Sequence, residues 1–175
     1  MTDDNKELVL SRDQISDKVK ELAREISKAY AGKDLVLVGV LNGVFMFMAD
    51  LVKELDIPVK LDFVRLASYG AHSSSSGRIT MTKDIELDLK GRNVLIVEDI
   101  ADSGLTLDFL KKHLASFEPA SIKICALIDK KERRVIPVTI HFSGFEIDQG
   151  FLVGYGLDYN EEYRYLPNIY HLIQV

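Results

Sequence analysis

Glu98, Asp99 and Asp102 crowd three carboxylates into five positions, straight after the apolar run V-L-I-V and straight before Ser103, Gly104, Leu105 and Thr106. If V-L-I-V is a buried strand and a helix follows it, the acids stand at the carboxyl end of the strand and the small residues open the helix. The first N–H groups of a helix have no intrahelical partner and the helix dipole is positive there, so S-G-L-T is suited to a single phosphate. Gly104 permits close backbone approach or a positive φ, and Ser103 and Thr106 add hydroxyl donors. Carboxylates cannot serve that phosphate, because like charges repel. They suit ribose hydroxyls, a hydrated Mg²⁺ or a proton on a base. D-x-x-D-S-G alone fits an ordinary strand-to-helix turn equally well, with Asp102 or Ser103 capping the helix. The full string of strand, paired acids, third acid and S-G-x-T is a more specific combination.

The surrounding sequence supplies the elements that must position these groups. Ile15, Val19, Leu22, Ile26 and Tyr30 recur every three or four residues, the mark of an amphipathic helix, with Ser11 as its N-cap and Gly32 ending it. D-L-V-L-V-G-V-L reads as a buried strand. Asn42-Gly43 then turns into V-F-M-F-M-A-D-L-V-K-E-L, which is apolar nearly all round and is expected to be a buried helix. Pro58 opens another strand, V-K-L-D-F-V-R-L. The same β-α-β order returns in N-V-L-I-V, the helix marked by Leu107, Leu110 and Leu114, and S-I-K-I-C-A-L-I. Continuous apolar strands separated by helices imply an α/β fold with a parallel sheet core flanked by helices, and ligands in such sheets sit beyond the carboxyl ends of the strands. Between the two units, S-Y-G-A-H-S-S-S-S-G buries too little apolar surface to offset its ordering entropy and is expected to be mobile. R-I-T-M-T-K after it alternates like an exposed hairpin strand. The C-terminal part changes character: V-T-I-H-F, F-L-V-G-Y-G and Y-N-E-E-Y-R-Y-L-P-N-I-Y read as further strands and turns forming a small cap. The expectation is a single domain over 1–175, its core about 11–130 and its cap mainly from about 131–175.

Composition narrows the functional classes. Twenty-two basic against 27 acidic residues leave a formal charge of -5, so the chain has no general field for nucleic acid, and an anionic ligand must be held by local geometry. No apolar run approaches the roughly 18 residues of a membrane span, and the polar start M-T-D-D-N-K-E-L reads as neither a signal nor a transit peptide. The lone Cys125 lies in I-K-I-C-A-L-I and reads as a small core residue, with no disulfide framework, which suits the reducing cytoplasm. His72, His113, His141 and His171 are far apart, so a zinc site built from them is not expected.

V-L-I-V-E-D-I-A-D-S-G-L-T-L resembles the motif with which type I phosphoribosyltransferases bind phosphoribosyl pyrophosphate (PRPP). More narrowly, the chain is similar to the hypoxanthine-guanine phosphoribosyltransferases. The resemblance runs on through L-N-G-V-F-M-F-M-A-D-L, D-F-V-R-L-A-S-Y-G, A-L-I-D-K and G-F-L-V-G-Y-G-L-D-Y-N-E-E-Y-R, covering residues from about 35 to 165.

The resemblance implies a reaction in which a purine base displaces pyrophosphate from PRPP to give a nucleoside monophosphate, through a transition state like an oxocarbenium ion. Positioning and charge stabilisation would then dominate catalysis. On this reading Glu98 and Asp99 hold the ribose hydroxyls, directly or through Mg²⁺ and water, Asp102 is the general base at purine N7, and Asp102, Ser103, Gly104, Leu105 and Thr106 form the 5′-phosphate loop. Many relatives have threonine where this chain has Ser103, and some have lysine at the position of Leu105. Lys130 matches the lysine that donates to the purine 6-oxo group, a donor that disfavours adenine. The rest of K-K-E-R-R, with Lys131, Glu132 and Arg134, reads as a solvated charged turn. Phe151 matches the aromatic that stacks on the base, and the main chain of Leu152 would read the purine edge. Asp158 matches the acid of a second Mg²⁺ site, and Arg164 a pyrophosphate-binding arginine. Leu41, Asn42 and Gly43 correspond to the pyrophosphate loop, where the family often has a non-proline cis peptide, here between Leu41 and Asn42. Relatives often carry lysine at Asn42, so pyrophosphate binding would fall to backbone donors.

The serine-rich stretch falls where the family has a mobile active-site loop with a Ser-Tyr pair, here Ser68-Tyr69, whose closure would exclude water from the reacting ion. The implied partners are PRPP and a 6-oxopurine, with self-association as a homodimer or homotetramer. Two alternatives stand beside salvage of hypoxanthine or guanine: a xanthine-preferring enzyme, and a non-catalytic sensor of PRPP or nucleotide on the same fold. Retention of both Asp102 and Lys130 weighs against the sensor.

Overall fold

The structure, a computed structural model, describes residues 5–69 and 78–173. The elements run β1 (Lys6–Leu10), α1 (Arg12–Ala29), β2 (Leu35–Leu41), α2 (Phe45–Glu54), β3 (Val59–Tyr69), β4 (Arg78–Lys83), β5 (Asn93–Ala101), α3 (Leu105–Ala115), β6 (Ser121–Asp129), β7 (Phe142–Glu146), β8 (Phe151–Val153) and β9 (Ile169–Leu172). The main sheet has the order β4-β3-β2-β5-β6-β7. Every neighbouring pair is parallel except the hairpin that sets β4 against β3 at the edge. This is the α/β architecture expected of type I phosphoribosyltransferases. From Gly70 to Gly77 the serine-rich stretch lies outside the described residues.

Alternation explains why the central strands are apolar without a break. Leu35 and Leu37 on β2, Leu95 and Val97 on β5, and Cys125 and Leu127 on β6 join the core under α1 and α2. Val36 and Val38, Val94 and Ile96, and Ile124 and Ala126 point the other way, into the core under α3. Both faces are covered, so neither can be polar. Cys125 is fully buried and burial pushes its thiol pKa up, as befits a core residue. Ser11 caps α1 through a reciprocal box: its hydroxyl accepts from Gln14 N at 3.2 Å while Gln14 Oε1 accepts from Ser11 N at 2.9 Å.

Three readings change. Helix α2 is half-buried rather than buried: Phe47, Met48 and Leu51 face the core, while Phe45 is exposed. The strand anticipated at V-T-I-H-F lies instead at Phe142–Glu146. Val138 and Ile140 do pack on the α3-side core, so the alternation reports burial, but the ladder with β6 starts only at Phe142 opposite Cys125. The hood is a separate antiparallel sheet, β1-β9-β8, and so draws on the N-terminal strand as well as the C-terminal segment, while β7 belongs to the main sheet. Tyr155 ties the hood down, its hydroxyl donating to Asp50 on α2 at 2.7 Å. No helix among the described residues is long and apolar enough to cross a membrane.

Candidate active site

β5 stays paired with β6 through Glu98, Ile100 and Ala101, so Glu98 and Asp99 lie within the last residues of the strand rather than beyond it, and the chain leaves the sheet only at Asp102 and Ser103 on its way into α3. Gly104 is the N-cap of α3 at φ +83°, with no side-chain cap. The capping role open to Asp102 or Ser103 therefore falls to a backbone position. Glycine is required there, because a Cβ would stand 2.3 Å from the Ile136 carbonyl oxygen and the left-handed conformation disfavours side chains. Ser103 Oγ accepts from Leu105 N at 3.3 Å. Glu98, Asp99, Asp102, Ser103, Gly104 and Thr106 line a cup of about 160 Å³ over the start of this helix. The Leu105 side chain turns away, into a different cavity with Phe109 and Ile136.

A second cavity, of about 230 Å³, is lined by Asp99, Asp102, Lys130, Phe151, Leu152 and Asp158 among others. Asp99, Ile100 and Asp102 border both spaces, so the acids at the end of β5 form the wall between them. Lys130 is buried and its Nζ donates to the Gly150 carbonyl at 2.7 Å, at the entry to β8. Phe151, the first residue of β8, is 39% exposed and meets Tyr159 in an edge-to-face contact with the ring centroids 5.5 Å apart. Leu152 is buried behind it.

The electrostatics are those of a site short of positive charge. Glu98 and Asp99 are adjacent, buried, and in no ion pair among the described residues. Burial, then the neighbouring Asp99 charge, pushes the Glu98 pKa well above the usual carboxylate range. Burial also raises that of Asp99, against hydrogen bonds from Glu98 and the Ile100 amide. Two desolvated carboxylates side by side are stabilised by any group that donates to them or offsets their charge, such as a diol or a hydrated cation. Asp102 Oδ1 is buried with no hydrogen-bond partner, and its Oδ2 lies 3.8 Å from the exposed Arg133.

Of the residues expected at pyrophosphate, Gly43 lies against Asp99 and Arg164 lies against Asp158. The Leu41–Asn42 peptide is cis, as the resemblance implied. Gly43 lies against Asp99 so closely that a Cβ would stand 1.8 Å from Oδ2. Arg164 donates to the Gly156 carbonyl at 2.8 Å and pairs with Asp158 Oδ1 at 2.8 Å. The second acid expected to face a metal is thus neutralised by the arginine expected to face pyrophosphate. Ser68 and Tyr69 end β3, paired with Ile79 and Arg78. A larger cavity of about 410 Å³ near Arg12, Asp50, Lys53 and Tyr155 contains none of the expected site residues.

One residue was misread. Arg134 is not solvated: it is folded against the carbonyls of Ala101 and Asp102 and against Asp129, its side chain 15% exposed. Nothing in K-K-E-R-R distinguishes it from Arg133, which is 69% exposed.

Residues 9–160 match the phosphoribosyl transferase domain family. The hypoxanthine-guanine phosphoribosyltransferase of Streptococcus pneumoniae is 44% identical over 169 residues, 97% of this chain and 94% of that protein. The hypoxanthine phosphoribosyltransferase of Salmonella typhimurium is 44% identical over 93% of each chain. The crystal structure of a hypoxanthine-guanine phosphoribosyltransferase from Bacillus anthracis superposes with a TM-score of 0.91 at 43% identity, covering 97% of this chain and 99% of that one. Matched over residues 9–160 and aligned almost end to end with these proteins, the chain belongs to the phosphoribosyltransferase family.

Proposed function

We propose that the protein is a purine salvage enzyme that transfers the 5-phosphoribosyl group of PRPP to N9 of hypoxanthine or guanine, releasing pyrophosphate and giving IMP or GMP. The observation that carries this reading is the shared wall: Asp102 borders both the phosphate cup and the cavity of Lys130, Phe151 and Leu152. The neighbours named above are all hypoxanthine or hypoxanthine-guanine enzymes, and neither the xanthine-preferring nor the sensing alternative is favoured.

In this reading the amides and hydroxyls from Ser103 to Thr106 hold the 5′-phosphate. Glu98 and Asp99 accept from the ribose hydroxyls. Phe151 stacks on the base, Lys130 donates to the 6-oxo group, and the Leu152 main chain reads the purine edge. Asp102 takes the proton from N7 as the bond at N9 forms. Its unpartnered buried Oδ1 supports that role, since a ligand N–H would satisfy it. The backbone of Leu41, Asn42 and Gly43, together with Arg164, faces pyrophosphate. Mg²⁺ fits the donor set: Glu98 and Asp99 would hold one ion and Asp158 a second, once Arg164 turns from Asp158 to pyrophosphate. When bound, Mg²⁺ neutralises pyrophosphate as it leaves. Ser68 and Tyr69 belong to the loop that closes over the site. Residence in the cytoplasm, as a homodimer or homotetramer, is part of the same reading.

The test is one assay. Supply PRPP, Mg²⁺ and hypoxanthine, guanine, xanthine or adenine in turn, and measure nucleotide and pyrophosphate. Turnover with hypoxanthine or guanine is expected. No turnover with any base, despite PRPP binding, removes the enzyme reading, and turnover with xanthine alone moves it to the alternative.

A further inference from the structure

The guanidinium of Arg134 reaches back across the chain to the two segments that meet the purine. Its Nε donates to the Asp102 carbonyl at 2.7 Å. Its Nη2 donates to the Ala101 carbonyl at 2.8 Å, to Asp129 Oδ1 at 2.5 Å and, more weakly, to the Lys130 carbonyl at 3.3 Å. One side chain therefore touches the backbone of Asp102 and of Lys130, with the buried Asp129 carboxylate as its counter-charge. The Lys130 amide itself donates to the Ala101 carbonyl at 3.0 Å, so both segments share one anchor. The phosphate cup is held separately, because the amides of Val135 and Ile136 both donate to the Ser103 carbonyl, at 2.9 and 3.1 Å.

We infer that Arg134 is a positioning residue for the proposed reaction: its planar fork sets the Asp102 carboxylate and the Lys130 ammonium at the separation that a 6-oxopurine presents between N7 and its 6-oxo oxygen. The inference rests on the function proposed above. Only arginine can do this here. Arg134 satisfies two adjacent carbonyls and a carboxylate from one rigid plane, whereas lysine offers a single ammonium on a flexible stem. Arg133 next to it has no such bonds and lies near the carboxylate of Asp102 rather than its backbone.

The test is a double-mutant cycle. Steady-state kinetics with hypoxanthine and PRPP are measured for the wild type, Arg134→Lys, Asp102→Asn and the double variant, with thermal melts to check folding. Misplacing a catalytic group by an ångström costs on the order of 100-fold, so Arg134→Lys is expected to lower kcat by about ten- to 100-fold. The KM for PRPP should stay within about threefold, since the Ser103 carbonyl keeps its own donors. Once the base is gone its position no longer matters, so in the Asp102→Asn background Arg134→Lys should change kcat by less than about twofold. An unchanged kcat in Arg134→Lys overturns the inference. So do losses that multiply in the double variant, the signature of general loosening. If Arg134→Lys does not fold, Asp129→Asn takes its place in the cycle: it removes the counter-charge but keeps an acceptor, and the same non-additivity is expected. Failure of the wild type to turn over hypoxanthine would instead strike the proposed function.

Discussion

Lys130 and Asp102 line one cavity but would act at different moments, and kinetics can separate them. In the proposed reaction Lys130 is a binding donor. Its Nζ already gives one bond to the Gly150 carbonyl and has capacity for a second. Lys130→Ala is expected to raise the KM for hypoxanthine at least tenfold, the worth of one charged hydrogen bond of about 1.5–3 kcal/mol, while the KM for PRPP moves less; the opposite ranking counts against the assignment. As the proposed base, Asp102 would act in the chemical step, so Asp102→Ala should lower kcat by about 10²–10⁴-fold and leave PRPP affinity, measured by direct titration, nearly unchanged. That these two residues share a site was legible in the sequence, because each sits inside a motif, and the structure brings both to one cavity. The place of Arg134 was not. Its partners Ala101 and Asp102 lie some 30 positions upstream, and only the fold reveals that their carbonyls face the turn that carries it. A charged turn and a buried clamp are spelled alike.

Among the elements, the hairpin edge is held by one buried acid. Asp62 on β3 accepts from the amides of Glu86 and Leu87 at 2.7 and 2.8 Å through Oδ2, and from Phe63 N through Oδ1, with Lys83 Nζ at 3.4 Å. Burial works to raise its pKa, but those backbone amides and Lys83 outweigh it, and the carboxyl is held below its usual range. A depressed folded-state pKa means stability that is present above the unfolded value of about 3.9 and lost as pH falls through the folded value. Asp62→Asn should cost about 1–3 kcal/mol at neutral pH, a fall in Tm of roughly 2–4 °C per kcal/mol for a chain of this size. The gap between variant and wild type should narrow below about pH 4; a gap that stays constant down to pH 3 would show that Asp62 acts through shape and not charge. The strands of the main sheet were readable because burial on both faces leaves only apolar residues to choose from. The start of β7 was not, since Val138 and Ile140 are partly buried against the α3-side core without a ladder and mimic a strand in pattern. Nor was β1, whose K-E-L-V-L is short and largely exposed.

Across the whole molecule, the cup at the start of α3 is built within one β-α turn of the main sheet, while the cavity of Lys130 and Phe151 depends on β8, which pairs with β9, which in turn pairs with β1. Lys6 lies opposite Leu172 in that small sheet, whereas β2, β5 and β6 find their partners far sooner along the chain. Contacts between distant segments form late, because loop closure must be met before they reward it. Pulse-labelled amide exchange during refolding is expected to find β2, β5 and β6 protected before β8 and β9, and simultaneous protection would contradict this order. On a ribosome the same geometry has a temporal meaning. Strand β1 emerges with no partner and must wait until β9 has been made, so on the proposed function a nascent chain would meet phosphate before it could recognise a purine, and the base pocket would mature after the phosphate cup.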